Sequence, residues 1–208
     1  MRIENQCKGV RIIVGDEAKE RRLTLNKMIS IVEALGFNEI TLPTIEPLVI
    51  YTDKAGEEIK KQMYFFQDKG SRDICLRPEG TATIQEIADT HYKGHKDVKF
   101  WYFERCYRYE QPQAGRYREF FQFGVEVINP SSPTIKQELI DLAKELITLV
   151  TDKFEVNESV KRGLAYYTEE GFEISCPELG AQKQICGGGT YAQGIGFAIG
   201  FDRLMLCK

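Results

Sequence analysis

Apolar residues along 16–35 fall at Leu25, Met28, Ile29, Val32 and Leu35, a spacing that predicts a helix with one buried stripe, and Gly36 is placed to stop it. Phe37–Leu42 reads as a strand halted by Pro43. Met63–Gln67 and Asp73–Leu76 read as a short strand pair around Lys69-Gly70, and Thr81–Tyr92 as a helix with Ile84, Ile87 and Ala88 on one side. Two long strands are expected next. Lys99–Tyr109 is rich in aromatics, and Glu119–Ile128 alternates, with Phe121, Phe123, Val125 and Val127 on one face and Gln122, Gly124 and Glu126 on the other. Ser132-Pro133 opens a further helix striped by Ile135, Leu139, Leu142, Leu146 and Leu149. Beyond it, strands are expected at 171–175 and 179–186, a turn at the triple glycine 187–189, and a last helix over 198–207.

Strands with helices between them and strong hairpin signals point to an α+β fold, a mainly antiparallel sheet flanked by helices. The 208 residues suffice for one sizeable core, so residues 1–208 are expected to form a single domain. Hydrophobic residues make up 42% and charged residues 28%, an ordinary globular balance that excludes disordered and collagen-like classes. No apolar run approaches the ~20 residues of a membrane span, and the first residues lack the build of a secretory signal. The net charge of −3 and pI near 5.6 argue against a domain that grips nucleic acid chiefly through phosphate attraction. Six scattered cysteines without a C-x-x-C pair suggest no zinc site and a reduced, cytoplasmic setting.

Several segments carry candidate chemistry. Gln122 and Glu126 lie about 13 Å apart on the polar face of their strand, which by alternation alone should meet water. Arg105, Arg108, Arg116 and Arg118 crowd one hairpin. They either pair with Glu104, Glu110 and Glu119 in solvent or form an anion clamp, for which the planar guanidinium fork is suited. Arg77-Pro78-Glu79-Gly80-Thr81 reads as a turn into a helix, or as a fixed carboxylate and hydroxyl able to hold an ammonium group. Gly187-Gly188-Gly189 is either a flexible turn or a place for close backbone approach to a ligand. Gly196 and Gly200, four apart, suggest a bare helix face for tight packing, with Arg203 beyond it. The Rossmann and P-loop glycine patterns are absent. His91 and His95 have no further ligands at metal spacing, and no metal site is expected in the chain.

In order, Pro43, RPEGT, YRYEQPQAGRYREFFQFGVEVI, VKRGLAYYTEEGFEI, LGAQKQICGGGTY and GFAIGFDRL resemble the catalytic core of histidyl-tRNA synthetases, class II aminoacyl-tRNA synthetases, from about Lys8 to the last residue. The resemblance implies a homodimer, with 16–43 as the dimer-forming first motif, and an ATP-dependent, AMP-forming ligase. Such an enzyme makes histidyl-adenylate from histidine and ATP, then transfers histidine to tRNA or another acceptor. It implies Arg108 and Arg162 as catalytic residues. Arg108 would sit on the α-phosphate, and Arg162 on the α-phosphate and the substrate carboxylate. Arg116, Arg203 and Glu110 would complete ATP binding, with adenine stacked between Phe120 and Arg203 and Mg²⁺ bridging the phosphates. Glu79, Thr81 and Gln122 would hold the α-amino group, and Glu126 the imidazole, with Tyr167 and Tyr191 closing the pocket.

The chain departs from the family pattern in three ways. Only 36 residues separate Glu126 from Arg162, so the helical insertion domain is expected to be missing. The chain ends at Lys208, just after the last motif, so the anticodon-binding domain is expected to be missing too. Ala165 stands where the family usually has Asp and Thr190 where it usually has Arg, and the stretch after Tyr191 is short. A second reading, a non-catalytic histidine-binding subunit similar to the regulatory subunit of ATP phosphoribosyltransferase, therefore stands beside the enzyme.

Overall fold

The 98–128 hairpin supplies two inner strands of the main sheet. In a computed structural model describing residues 4–55, 57–161, 163–180 and 182–207, the elements are α1 (Gly15–Ala34), β1 (Asn38–Glu39), β2 (Ile45–Pro47), α2 (Leu48–Ala55), α3 (Glu57–Lys60), β3 (Phe65–Gln67), β4 (Asp73–Leu76), α4 (Thr81–His91), β5 (Val98–Tyr107), β6 (Glu119–Ile128), α5 (Ile135–Thr148), β7 (Glu155–Val160), β8 (Gly171–Ser175), β9 (Gln184–Tyr191), β10 (Gly194–Gly200) and α6 (Phe201–Leu204). A seven-stranded sheet runs β1-β5-β6-β10-β9-β8-β7, antiparallel except for β1 against β5. A smaller antiparallel sheet runs β2-β4-β3.

The alternation of β6 separates the two faces of the large sheet. Phe123, Val125 and Val127 join Ile195, Phe197 and Ile199 of β10 in the main core, under Met28 and Val32 of α1 and Leu139, Leu142 and Leu146 of α5. Gly36, at φ +81°, ends the turn after α1 as its backbone freedom allows. Leu35, expected in the buried stripe, sits at the helix C-cap and is 49% exposed.

Four expectations are corrected. Only Asn38–Glu39 of the 37–42 stretch pairs as a strand. The triple glycine is no turn: it lies inside β9, between strands on both sides. The 198–207 helix is mostly absent, because Gly194–Gly200 is the strand β10 and only Phe201–Leu204 is helical. The polar face of β6 is not a solvated face: Glu126 is fully buried, Gly124 is buried beside it and Gln122 is half-buried. Elements over 45–55 and 155–160 carried too little periodicity to be read. No described helix is long and apolar enough to cross a membrane.

Candidate active site

The glycine spacing builds the floor of a cavity. On β10, Gly194, Gly196, Ala198 and Gly200 share one face, and in register with them on β9 lie Tyr191, Gly189 and Gly187. Residues two apart on a strand point the same way, so apart from Tyr191 these positions leave one face of two adjacent strands nearly free of side chains. The alternate positions, Ile195, Phe197 and Ile199, fill the core on the other side. Above the bare face opens a cavity of about 370 Å³, floored by Gly187, Ala198 and Gly200. A cavity of this size falls within the ordinary range for small-molecule sites.

One end of the cavity is acidic. Glu79 lies just before α4, and its carboxylate accepts the backbone N–H of Thr81 at 2.7 Å and of Ala82 at 3.0 Å. It therefore fills the role of a cap on the helix's unpaired donors. The Tyr166 hydroxyl donates to Glu79 at 3.2 Å. Thr81, Gln122, Tyr166 and Tyr167 complete this wall. Behind it, Glu126 accepts hydrogen bonds from the Thr81 hydroxyl at 2.7 Å and the Tyr191 hydroxyl at 3.0 Å. Neither Glu126 nor Tyr191 lines the cavity: the expected pocket acid is closed off behind Thr81. Gly196 makes the space, since a Cβ there would overlap the Glu126 carboxylate. Gly80 and Gly124 likewise leave room for the buried Tyr102 ring beneath this end.

The other end is cationic. Arg108, Arg116 and Arg203 line it together, with Phe120 and Glu110. Arg108 donates from Nε to the Pro78 carbonyl at 2.9 Å, and its guanidinium lies 5.3 Å from the Phe120 ring centre. Arg203 donates to Gly115 O at 2.6 Å and Gln184 O at 3.1 Å. Arg116 is paired with Glu110. Burial lowers the Arg203 pKa, and the neighbouring Arg108 and Arg116 charges lower it further. Three cations held this closely invite an anion. Arg105 and Arg118 do not join them: Arg105 is exposed beside Glu119, and Arg118 stacks on Tyr109. Arg162 lies outside the described residues.

Burial pushes the Glu126 carboxyl up to about 8, although its bonds from Thr81 and Tyr191 act the other way. Burial also raises Glu79 and Glu46. An unfolded glutamate ionises near its ordinary 4.5. Between these values the folded chain keeps protons that the unfolded chain has released, so stability is full at low pH and falls as pH rises through the folded value. The denaturant midpoint is expected to drop between pH 5.5 and 8, and Glu126→Gln to flatten that slope in part, Glu79 and Glu46 supplying the rest. A wild-type midpoint that holds steady over this range contradicts the burial assignment.

A family profile described as histidyl-tRNA synthetase matches residues 9–157. The histidine–tRNA ligase of Archaeoglobus fulgidus is 31% identical, with 98% of this chain and 76% of that protein covered. The chain belongs to the histidyl-tRNA synthetase family. Because the alignment with the A. fulgidus synthetase spans 310 residues against 208 here, that relative carries segments inside the matched span which this chain lacks. The fold agrees with the class II synthetase core. The apo S. aureus histidyl-tRNA synthetase superposes with a TM-score of 0.80 at 24% identity, over 99% of this chain and 70% of that one. A Bacillus halodurans structure named as an ATP phosphoribosyltransferase regulatory subunit/histidyl-tRNA synthetase superposes with a TM-score of 0.78 at 17% identity, covering all of this chain and 84% of that one.

Within this synthetase-family core, nine of the expected site residues line one cavity: Glu79, Thr81, Arg108, Glu110, Arg116, Phe120, Gln122, Tyr167 and Arg203. Residue patterns missed Tyr166, Tyr117, Asp202 and Gln62, which also line it. Tyr166, Tyr117 and Asp202 lie in segments already singled out, beside Tyr167, Arg116 and Arg203; Gln62 carries no signal of its own in the sequence.

Proposed function

We propose that this chain activates histidine with ATP to form histidyl-adenylate and pyrophosphate, as an ATP-dependent, AMP-forming ligase. The observation that carries the reading is the lining of this cavity, which brings a carboxylate and hydroxyls together with three guanidinium groups. Adenylation needs that arrangement. A histidine carboxylate oxygen forms a bond to the α-phosphorus while the bond to pyrophosphate breaks, and two anions must be brought together for it. Glu79, Thr81 and Gln122 receive the α-ammonium group, leaving the carboxylate directed toward Arg108. Arg108 and Arg203 meet the charge that grows on the phosphoryl oxygens without having to reorganise. Arg116 leaves Glu110 to join them. Adenine stacks on Phe120 next to Arg203. By the family resemblance, Arg162 adds a second guanidinium at the α-phosphate.

The imidazole is selected by Glu126. Reaching it requires Thr81 to turn aside; the carboxylate then exchanges the Thr81 and Tyr191 hydroxyls for the ring N–H, and Tyr167, on the cavity wall, and Tyr191, behind it, close around the ring. An apolar amino acid offers no donor in exchange for the hydroxyls it displaces, which is a penalty. Among the described residues no group of three or more His, Cys, Asp or Glu side chains could hold a metal ion, so Mg²⁺ would be held chiefly by the phosphates it neutralises. The same reading places the chain in the cytoplasm as a homodimer, with tRNA or another molecule accepting the activated histidine.

Histidine-dependent exchange of labelled pyrophosphate into ATP tests the proposal. Exchange with histidine and not with other amino acids is expected. Histidine binding without exchange transfers the chain to the regulatory reading, which the Bacillus halodurans neighbour's name motivates.

A further inference from the structure

Residues 8–14 lie against the cationic end of the cavity from outside. The carbonyl of Gly9 accepts the backbone N–H of Arg118 at 2.7 Å. Gly9 adopts φ +83°, and a Cβ there would press on Arg118 and Pro112, so only glycine lets the chain lie this close to the hairpin loop. Two residues on, Arg11 reaches two parts of the cavity wall that are remote in sequence. Its guanidinium lies 4.3 Å from the centre of the Tyr117 ring, and its NH2 group meets Asp202 Oδ1 at 2.7 Å across 191 residues of chain. Tyr117 and Asp202 both line the cavity, and Asp202 immediately precedes Arg203.

Asp202 is itself a junction. Its Oδ2 accepts the backbone N–H of Phe121 at 2.6 Å, fixing the start of β6 beside Phe120 and Gln122. Its Oδ1 also meets Arg21 of α1 at 3.0 Å. One carboxylate thus ties α1, β6 and α6 together, and Arg11 extends the tie to the loop that carries Arg116.

We infer that Arg11 is a positioning residue for the triphosphate, stapling the Tyr117 side of the hairpin loop to the Asp202-Arg203 turn so that Arg116 and Arg203 converge before ATP arrives. The inference rests on the adenylation reading above. Arg11 touches no substrate-facing atom of the acidic end, so it acts on ATP and not on histidine. Its removal leaves Asp202 paired with Arg21, so no buried charge is orphaned and the fold survives.

The test compares Arg11→Ala and Arg11→Lys with the wild-type chain in pyrophosphate exchange, in ATP and histidine calorimetry, and in thermal unfolding. Arg11→Ala is expected to raise the ATP KM and Kd by about tenfold, the scale of one partly buried charge pair with one cation–π contact, with histidine Kd changed less than about twofold. Arg11→Lys keeps the charge without the planar stack and recovers part of the loss. Equal weakening of ATP and histidine, or ATP parameters that do not move, overturns the inference while leaving the adenylation reading intact. A wild-type chain that binds ATP without exchange sinks the reading, and the calorimetric comparison still decides the role of Arg11. A wild-type chain that binds no ATP overturns both.

Discussion

Arg108→Ala is expected to lower histidine-dependent pyrophosphate exchange by about 10²–10³-fold, the usual loss when one fixed charge-stabilising donor is removed from a transition state. Three features make the effect large. The guanidinium is held at the cavity wall by the Pro78 carbonyl and lies over Phe120, so its position is set before substrate binds. It stands between the acidic and cationic ends, close enough to Glu79 to lower that group's pKa against the rise caused by burial. It would therefore face the histidine carboxylate and the α-phosphate together. The fold should tolerate the change, since one backbone hydrogen bond and one ring contact are lost at a partly exposed site. Arg108→Lys should recover little, because an ammonium cannot make two parallel hydrogen bonds to a phosphoryl group. Exchange at the wild-type rate in Arg108→Ala would remove this residue from the chemistry and redirect attention to Arg203.

The largest stability effect is expected at Arg77, which does not line the site cavity. Its side chain is fully buried, yet it donates to Leu42 O at 2.7 Å, Pro43 O, Glu104 Oε2 at 2.7 Å and Arg105 O at 2.9 Å. Glu104 in turn accepts the backbone N–H of Leu42 at 2.8 Å. This single guanidinium joins the segment after β1, the end of β4 and strand β5. Arg77→Met should cost about 3–5 kcal/mol, because Glu104 loses its cation and three carbonyls lose their donor in a largely buried site. Glu104→Gln should cost less, since the amide oxygen can still accept from Arg77. Urea unfolding of both variants checks the order. A loss below about 1 kcal/mol in Arg77→Met would mean that the carbonyls find water.

The family, the order of the motifs and the main helices were legible in residue patterns because each rests on local chemistry. The stripe of α1, the stripe of α5 and the alternation of β6 are periodic over ten or more residues, and period reports the element type and which face is apolar. Glu79 was readable as a fixed carboxylate because proline, glycine and a helix start surround it within five residues. The glycines misled for the opposite reason. A triple glycine in isolation favours a turn, and a four-residue spacing resembles a helix face. The strand conformation of 184–200 is imposed by neighbours on both sides of β9 and β10, and local propensity yields to such pairing.

What residues alone determined is the set of chemical groups and the two-faced character of each element, since side-chain type and periodicity are properties of the chain itself. What the tertiary structure decided is which groups meet. Alternation marked the Gln122–Glu126 face as polar, but only the packing of α4 and Tyr191 over it buried Glu126 and turned it from a solvated acid into a sealed one. Nothing local distinguishes Arg108, Arg116 and Arg203, which share a cavity, from Arg105 and Arg118, which do not. Convergence over a hundred residues of chain is a product of strand register and long-range burial, and neither is encoded in any short stretch of sequence.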